Sequence, residues 1–119
     1  MSNIKKEEVL ELIKDFPLEP LFNKVIITLN TVEFDEGVEL SHTVLSDVQY
    51  VLSKGGSVPS ALKLGDKVII DIEKLMVTVN DNNSNVEETS KRVKIDPVEV
   101  NGVQYAIIED RVIKAIDNR

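Results

Sequence analysis

The chain has 119 residues, 42% hydrophobic and 29% charged, with a net charge of -7 and no cysteine. That length supports one domain, and the composition is that of a folded globule rather than a disordered chain. The negative charge without a basic stripe argues against nucleic acid as a partner, and the missing thiols exclude disulfides, thiolate catalysis and thiolate metal sites.

No signal-like apolar run opens the sequence and no apolar stretch is long enough to span a bilayer, so a cytoplasmic protein without a membrane partner is expected. Aromatic residues make up only 4%, which leaves Val, Ile and Leu to build the core and favours strands. Residues 2–16, SNIKKEEVLELIKDF, set Ile4, Val9, Leu12, Ile13 and Phe16 at roughly helical spacing, with Ser2 or Asn3 as candidate caps. A short amphipathic helix is predicted. Pro17 and Pro20 stop it, because proline lacks an amide donor and disfavours helix in the residue before it. The chain divides into an N-terminal helical extension, residues 1–19, and a main domain, residues 20–119, with the joint at 17–21. The extension can pack back on the domain, cover a neighbour or hang free; its apolar stripe favours packing.

From Phe22 the pattern changes to period two or to short β-branched runs: KVIITLN, VQYVL, KVIIDI, LMVTVN, RVKIDPVEV, VQYAIIE and VIKAI. Gly55-Gly56, Pro59 and Gly65-Asp66 break the chain where a corner needs φ > 0, and Asn101-Gly102 is the strongest two-residue hairpin signal. About seven short strands predict a mainly β fold with one short N-terminal helix, the strands forming a small, mostly antiparallel barrel or sandwich. Residues 79–91, VNDNNSNVEETSK, read as a long exposed loop without catalytic duty.

Chemistry is hard to find. His42 stands alone, with no cysteine and no second histidine to make a catalytic pair or a metal site. The acidic pairs Asp35-Glu36, Glu87-Glu88 and Glu109-Asp110 are dispersed beside turns, where charges are usually just solvated. No glycine pattern matches a phosphate-cradling loop. The expectation is a non-enzyme that needs no cofactor. One stretch asks for a different explanation: GVELSHTVLSD, residues 37–47, places Val38, Leu40, Val44 and Leu45 among loop-like neighbours. Either Val44 and Leu45 begin a strand while Val38 and Leu40 cover a barrel end, or the segment is a tether that orders on a hydrophobic groove.

Five segments in register resemble the GroES-type co-chaperonin family across residues 20–117. PLFNKVIITLN (20–30) resembles its opening strand, and EGVELS (36–41) its loop signature of Gly, an apolar tripeptide and Ser, Thr or Pro. VLSDVQYVLSKGG (44–56), LKLGDKVII (62–70) and VQYAIIEDRVIKAID (103–117) are similar to its second strand and turn, its Val-Lys-Val-Gly-Asp-x-Val segment and its closing strands. Several features depart from the family: Glu39 replaces an apolar residue, the loop is a few residues shorter than usual, only SVPSA separates SKGG from LKLGD where bacterial members carry the roof hairpin of the dome, and the 1–19 extension and 79–91 loop have no counterpart. The short connection resembles virus-encoded members and implies a wider orifice.

The resemblance implies a GroES-like barrel with a mobile loop at about 31–46, assembled as a homoheptameric ring that caps a GroEL-type chaperonin when nucleotide is bound. Gly37, Val38, Glu39 and Leu40 would form the docking tip, with Val38 and Leu40 buried in a chaperonin groove. Two such side chains contribute about 3 to 6 kcal/mol per loop before ordering costs, so avidity around the ring would make the binding. Subunits would pair first strand to last, placing Val25, Ile26 and Ile27 against Val112, Ile113 and Ile116 of a neighbour. The alternative is a small β-barrel structural or assembly module, for example a virion component, that binds no chaperonin.

Overall fold

The computed structural model describes residues 3–35, 41–80 and 89–119. In chain order these hold α1 (Lys6–Leu12), β1 (Lys24–Thr28), β2 (Thr31–Asp35), β3 (Ser41–Leu45), β4 (Val48–Lys54), β5 (Lys67–Ile70), the 3-10 turn η1 (Ile72–Leu75), β6 (Met76–Asn80), β7 (Thr89–Val93), β8 (Asp96–Val100), β9 (Val103–Glu109), the 3-10 turn η2 (Asp110–Val112) and β10 (Ile113–Ile116). The fold is mainly β with one short N-terminal helix, as predicted. Six strands make one sheet in the order β10-β5-β4-β1-β9-β8, every pair antiparallel, while β2–β3 and β6–β7 are separate two-stranded ribbons.

Alternation along β1 explains why its central Val25-Ile26-Ile27 run is apolar. Val25 and Ile27 join Val51, Val68, Ile70, Ala106, Ile108 and Val112 in one core, closed below by Val58 and Leu62 from the 55–66 connection. On the opposite face, Ile26, Leu52 and Tyr105 pack under Val9 of α1. A strand buried on both faces has no polar side to show. Phe16 adds an edge-on contact to Tyr105, with ring centroids 5.3 Å apart, and burial raises the pKa of the Tyr105 phenol. The apolar stripe of the extension therefore packs back on the sheet. The helix is shorter than the periodicity predicts, and Asn3 does not cap it: Lys5 occupies the cap position without a side-chain hydrogen bond.

Turn chemistry behaves as expected at two sites. Asn101 (φ 53°) and Gly102 (φ 80°) make the two-residue turn between Val100 and Val103, and Gly65 (φ 87°) turns the chain before β5. Gly55 is required for another reason. A Cβ there would sit 2.2 Å from the Phe22 carbonyl oxygen, so the glycine allows two backbones to approach. Phe22 itself has φ 56°, unusual for an aromatic residue; its carbonyl accepts the Ser57 amide and the Leu21 carbonyl accepts the Lys24 amide, which hold the turn.

Four expectations are corrected. The sheet ends at β10 and β8 and no ladder joins them among the described residues, so it is an open sheet curled over its core and not a closed barrel. Strand β1 lies between β4 and β9 and has no free edge to give a neighbour. Residues 79–80 and 89–91 belong to the β6–β7 ribbon rather than to a loop, with 81–88 outside the described residues. RVKIDPVEV is two strands, since β7 ends at Val93, its ladder carried one step further by the Lys94 amide to the Leu75 carbonyl, and β8 begins at Asp96; Pro97 is accommodated in β8, an edge strand where a missing amide costs no ladder bond. The radius of gyration, 16.1 Å, exceeds the roughly 13 to 14 Å of a compact domain of this length, as expected when ribbons stand off a sheet.

Candidate functional site

The segment that the resemblance assigns to a docking loop is built as an arm. Its legs, β2 and β3, pair from Thr31↔Leu45 to Asp35↔Ser41, with His42 opposite Phe34 in register. The predicted loop at 31–46 is thus a paired ribbon over most of its length. Gly37, Val38, Glu39 and Leu40, the predicted docking tip, lie outside the described residues. Val32 and Val44 face each other across the ribbon and stay exposed, at 43% and 39%.

At the root of this arm a polar knot replaces apolar packing. The Gln49 side chain is fully buried. Its Oε1 accepts from Thr28 Oγ1 (2.7 Å) and the Asn30 amide (2.8 Å), and its Nε2 donates to the carbonyls of Asn30 (2.9 Å) and Ser46 (2.8 Å). Thr28 Oγ1 also accepts the Tyr50 amide at 3.0 Å, and the Ser46 amide returns to the Asn30 carbonyl at 2.9 Å. Both legs therefore leave the sheet from one hydrogen-bonded point. Sequence reasoning passed over Gln49, whose only signal is a polar residue at an inward position of VQYVL.

A second surface lies at the β10 edge. Ile113 is half-buried and Ile116 exposed; both line an open cavity of about 580 Å³ with Pro59, Ala61, Leu62 and Ala115, and the charged Asp110, Arg111 and Lys114 share its wall. The other predicted interface residues are elsewhere: Val25, Ile26, Ile27 and Val112 are all in the cores. Two large apolar residues not singled out from sequence, Leu21 and Phe22, are 68% and 73% exposed on the strained turn before β1. No sequence signal announces them, because the left-handed conformation of Phe22 follows from the packing of Gly55.

Charged groups fasten the ends of the same edge. Asp117 accepts from Arg119 Nε (2.9 Å), Nη2 (2.9 Å) and amide (3.0 Å), with Lys67 Nζ 3.7 Å away. These donors, Arg119 foremost, hold its carboxyl far below the usual carboxylate range. The Asp117 amide meanwhile extends the β5–β10 ladder to the Lys67 carbonyl. On β9, just before the turn that leads into β10, Arg111 first and Lys24 second lower the pKa of Glu109.

Among the described residues no three His, Cys, Asp or Glu side chains converge to hold a metal, and no helix is long and apolar enough to cross a membrane. The arrangement leaves two exposed features: an arm on a hydrogen-bonded root and a sheet edge beside an open cavity. No family model matches the chain, and no curated protein matches it.

Proposed function

We propose that the chain is a cytoplasmic co-chaperonin, which caps a nucleotide-bound GroEL-type chaperonin through the tip of the β2–β3 arm and assists protein folding without catalysing a reaction. The observation that carries this reading is the arm: a ribbon that leaves the main sheet and holds residues 36–40, with their alternating apolar side chains, between its two legs. The resemblance of the five segments supports it. In this reading β10 supplies the edge of a homoheptameric ring, and the apolar cavity beside Ile113 and Ile116 receives the neighbour's Leu21 and Phe22 instead of β1. Knob and cavity are different patches of one chain, so the contact runs head to tail, as a ring requires. Residues 55–66 form turns and carry no strand, which suits the open-topped dome of a virus-encoded member.

The test is sedimentation velocity, first alone and then with a double-ring chaperonin with and without nucleotide. A species near seven times the monomer mass that co-sediments with the chaperonin when nucleotide is present supports the proposal; a monomer or dimer that ignores the chaperonin overturns it. Leu40→Asp is expected to abolish capping and leave the ring intact. A second reading, a structural or assembly module such as a virion component, draws on the regular pairing of the arm's legs; it expects the chaperonin to be ignored with and without nucleotide.

A further inference from the structure

We propose that Asn3 and Ile4 position the arm: the N-terminal segment is a brace that sets the direction in which β2 and β3 present their tip. Ile4 donates its amide to Asn30 Oδ1 at 2.8 Å and accepts from Asn30 Nδ2 at 2.9 Å. Asn3 reciprocates one residue further on. Its Nδ2 donates to the Thr31 carbonyl at 2.6 Å, and its Oδ1 accepts the Thr31 amide at 3.0 Å and, more weakly, the Thr31 hydroxyl at 3.4 Å. Two side-chain amides thus grip the two residues through which the chain passes from sheet to arm.

The grip is anchored. Fully buried Val9 of α1 lies against Ile26, Leu52 and Tyr105, and Lys6 Nζ reaches the Gly65 carbonyl at 2.5 Å. Among the described residues the arm pairs with no strand of the main sheet, which leaves the root to set its direction. Asn3 is also the kind of residue that caps a helix, yet α1 has no side-chain cap. Asn3 lies two residues ahead of the Lys5 cap position, and its side chain serves the arm. Holding the arm in one direction lowers the ordering cost that a binding partner would otherwise meet.

The test uses the full chain, which has no cysteine, so spin labels attach only at introduced Glu33→Cys on the arm and Glu99→Cys on β8. Their distance distribution is expected to be narrow in this background and to broaden with Asn3→Ala and with Asn30→Ala. Amides of β2 and β3 are expected to exchange at least about fivefold faster, the change that even one lost net hydrogen bond predicts, with those of β1 and β9 unchanged. Should Asn30→Ala fail to fold, the exposed Asn3→Ala decides. An unchanged distribution and unchanged exchange overturn the proposal, as does faster exchange spread equally over β1 and β9, which would make both asparagines parts of global stability. No chaperonin enters the measurement, so its outcome is separate from that of the capping proposal.

Discussion

Replacing Gln49 by Met tests whether the root of the arm is held by hydrogen bonds or merely filled. Gln49 uses all four hydrogen-bonding positions of its amide within a fully buried site. Methionine has nearly the same length, so the volume is kept and the bonds alone are lost. The Asn30 amide and the Thr28 hydroxyl lose their acceptor; the Asn30 carbonyl keeps the Ser46 amide at 2.9 Å. A stranded buried donor costs about 1 to 3 kcal/mol, and the hydroxyl can rotate, so a loss of about 3 kcal/mol is expected, set against about 5 to 15 kcal/mol for a whole domain. In urea unfolding followed by far-ultraviolet circular dichroism, that loss lowers the midpoint by about 1 to 3 M at unchanged slope. A loss below about 1 kcal/mol would refute the reasoning, because the knot would then be replaceable by apolar packing. Gln49→Glu is expected to cost more at neutral pH, where a carboxylate faces the Asn30 and Ser46 carbonyls, and to recover in part as acid protonates it.

Gly55→Ala brings a Cβ within 2.2 Å of the Phe22 carbonyl oxygen and 2.8 Å of the Leu21 carbonyl carbon, both backbone, so the 20–23 turn must move; a loss of about 3 kcal/mol is expected in the same urea assay. Asp117 has a depressed pKa in the folded state, so its contribution is present above the unfolded value near 4 and fades as pH falls below it. Asp117→Asn is therefore expected to lower stability at neutral pH and to flatten the acid limb below about pH 4, read as thermal midpoint against pH.

The strands were legible where one physical signal dominated. Period-two runs marked β4, β5 and β9, and Asn101-Gly102 marked its turn because few other residue pairs accept two positive φ angles in succession. The order of strands was not legible. The apolar run of β1 states that both faces are buried but not which strands lie beside it, and nothing in VIKAI distinguishes an edge from a centre. The ribbon character of 31–45 was hidden because its alternation is mixed with Ser, Thr and His, and its pairing depends on the root rather than on a core. Gln49 and Asn30 were missed for a related reason. A single polar residue in a strand looks solvated until its partners, 19 residues apart in the chain, are brought together.

The place of β1 in the sheet also sets a timetable for the chain's own birth. Lys24 meets Glu109, 85 residues later, so the central strand leaves the ribosome long before its second neighbour exists. At about 5 to 20 residues per second the wait is roughly 4 to 17 s. Until β4 is made the Val-Ile-Ile run has no neighbour, and from then on it has only the β4 side to lean on. The nascent protein is therefore expected to be a temporary burden on the cell's holding factors, released when the last twenty or so residues arrive.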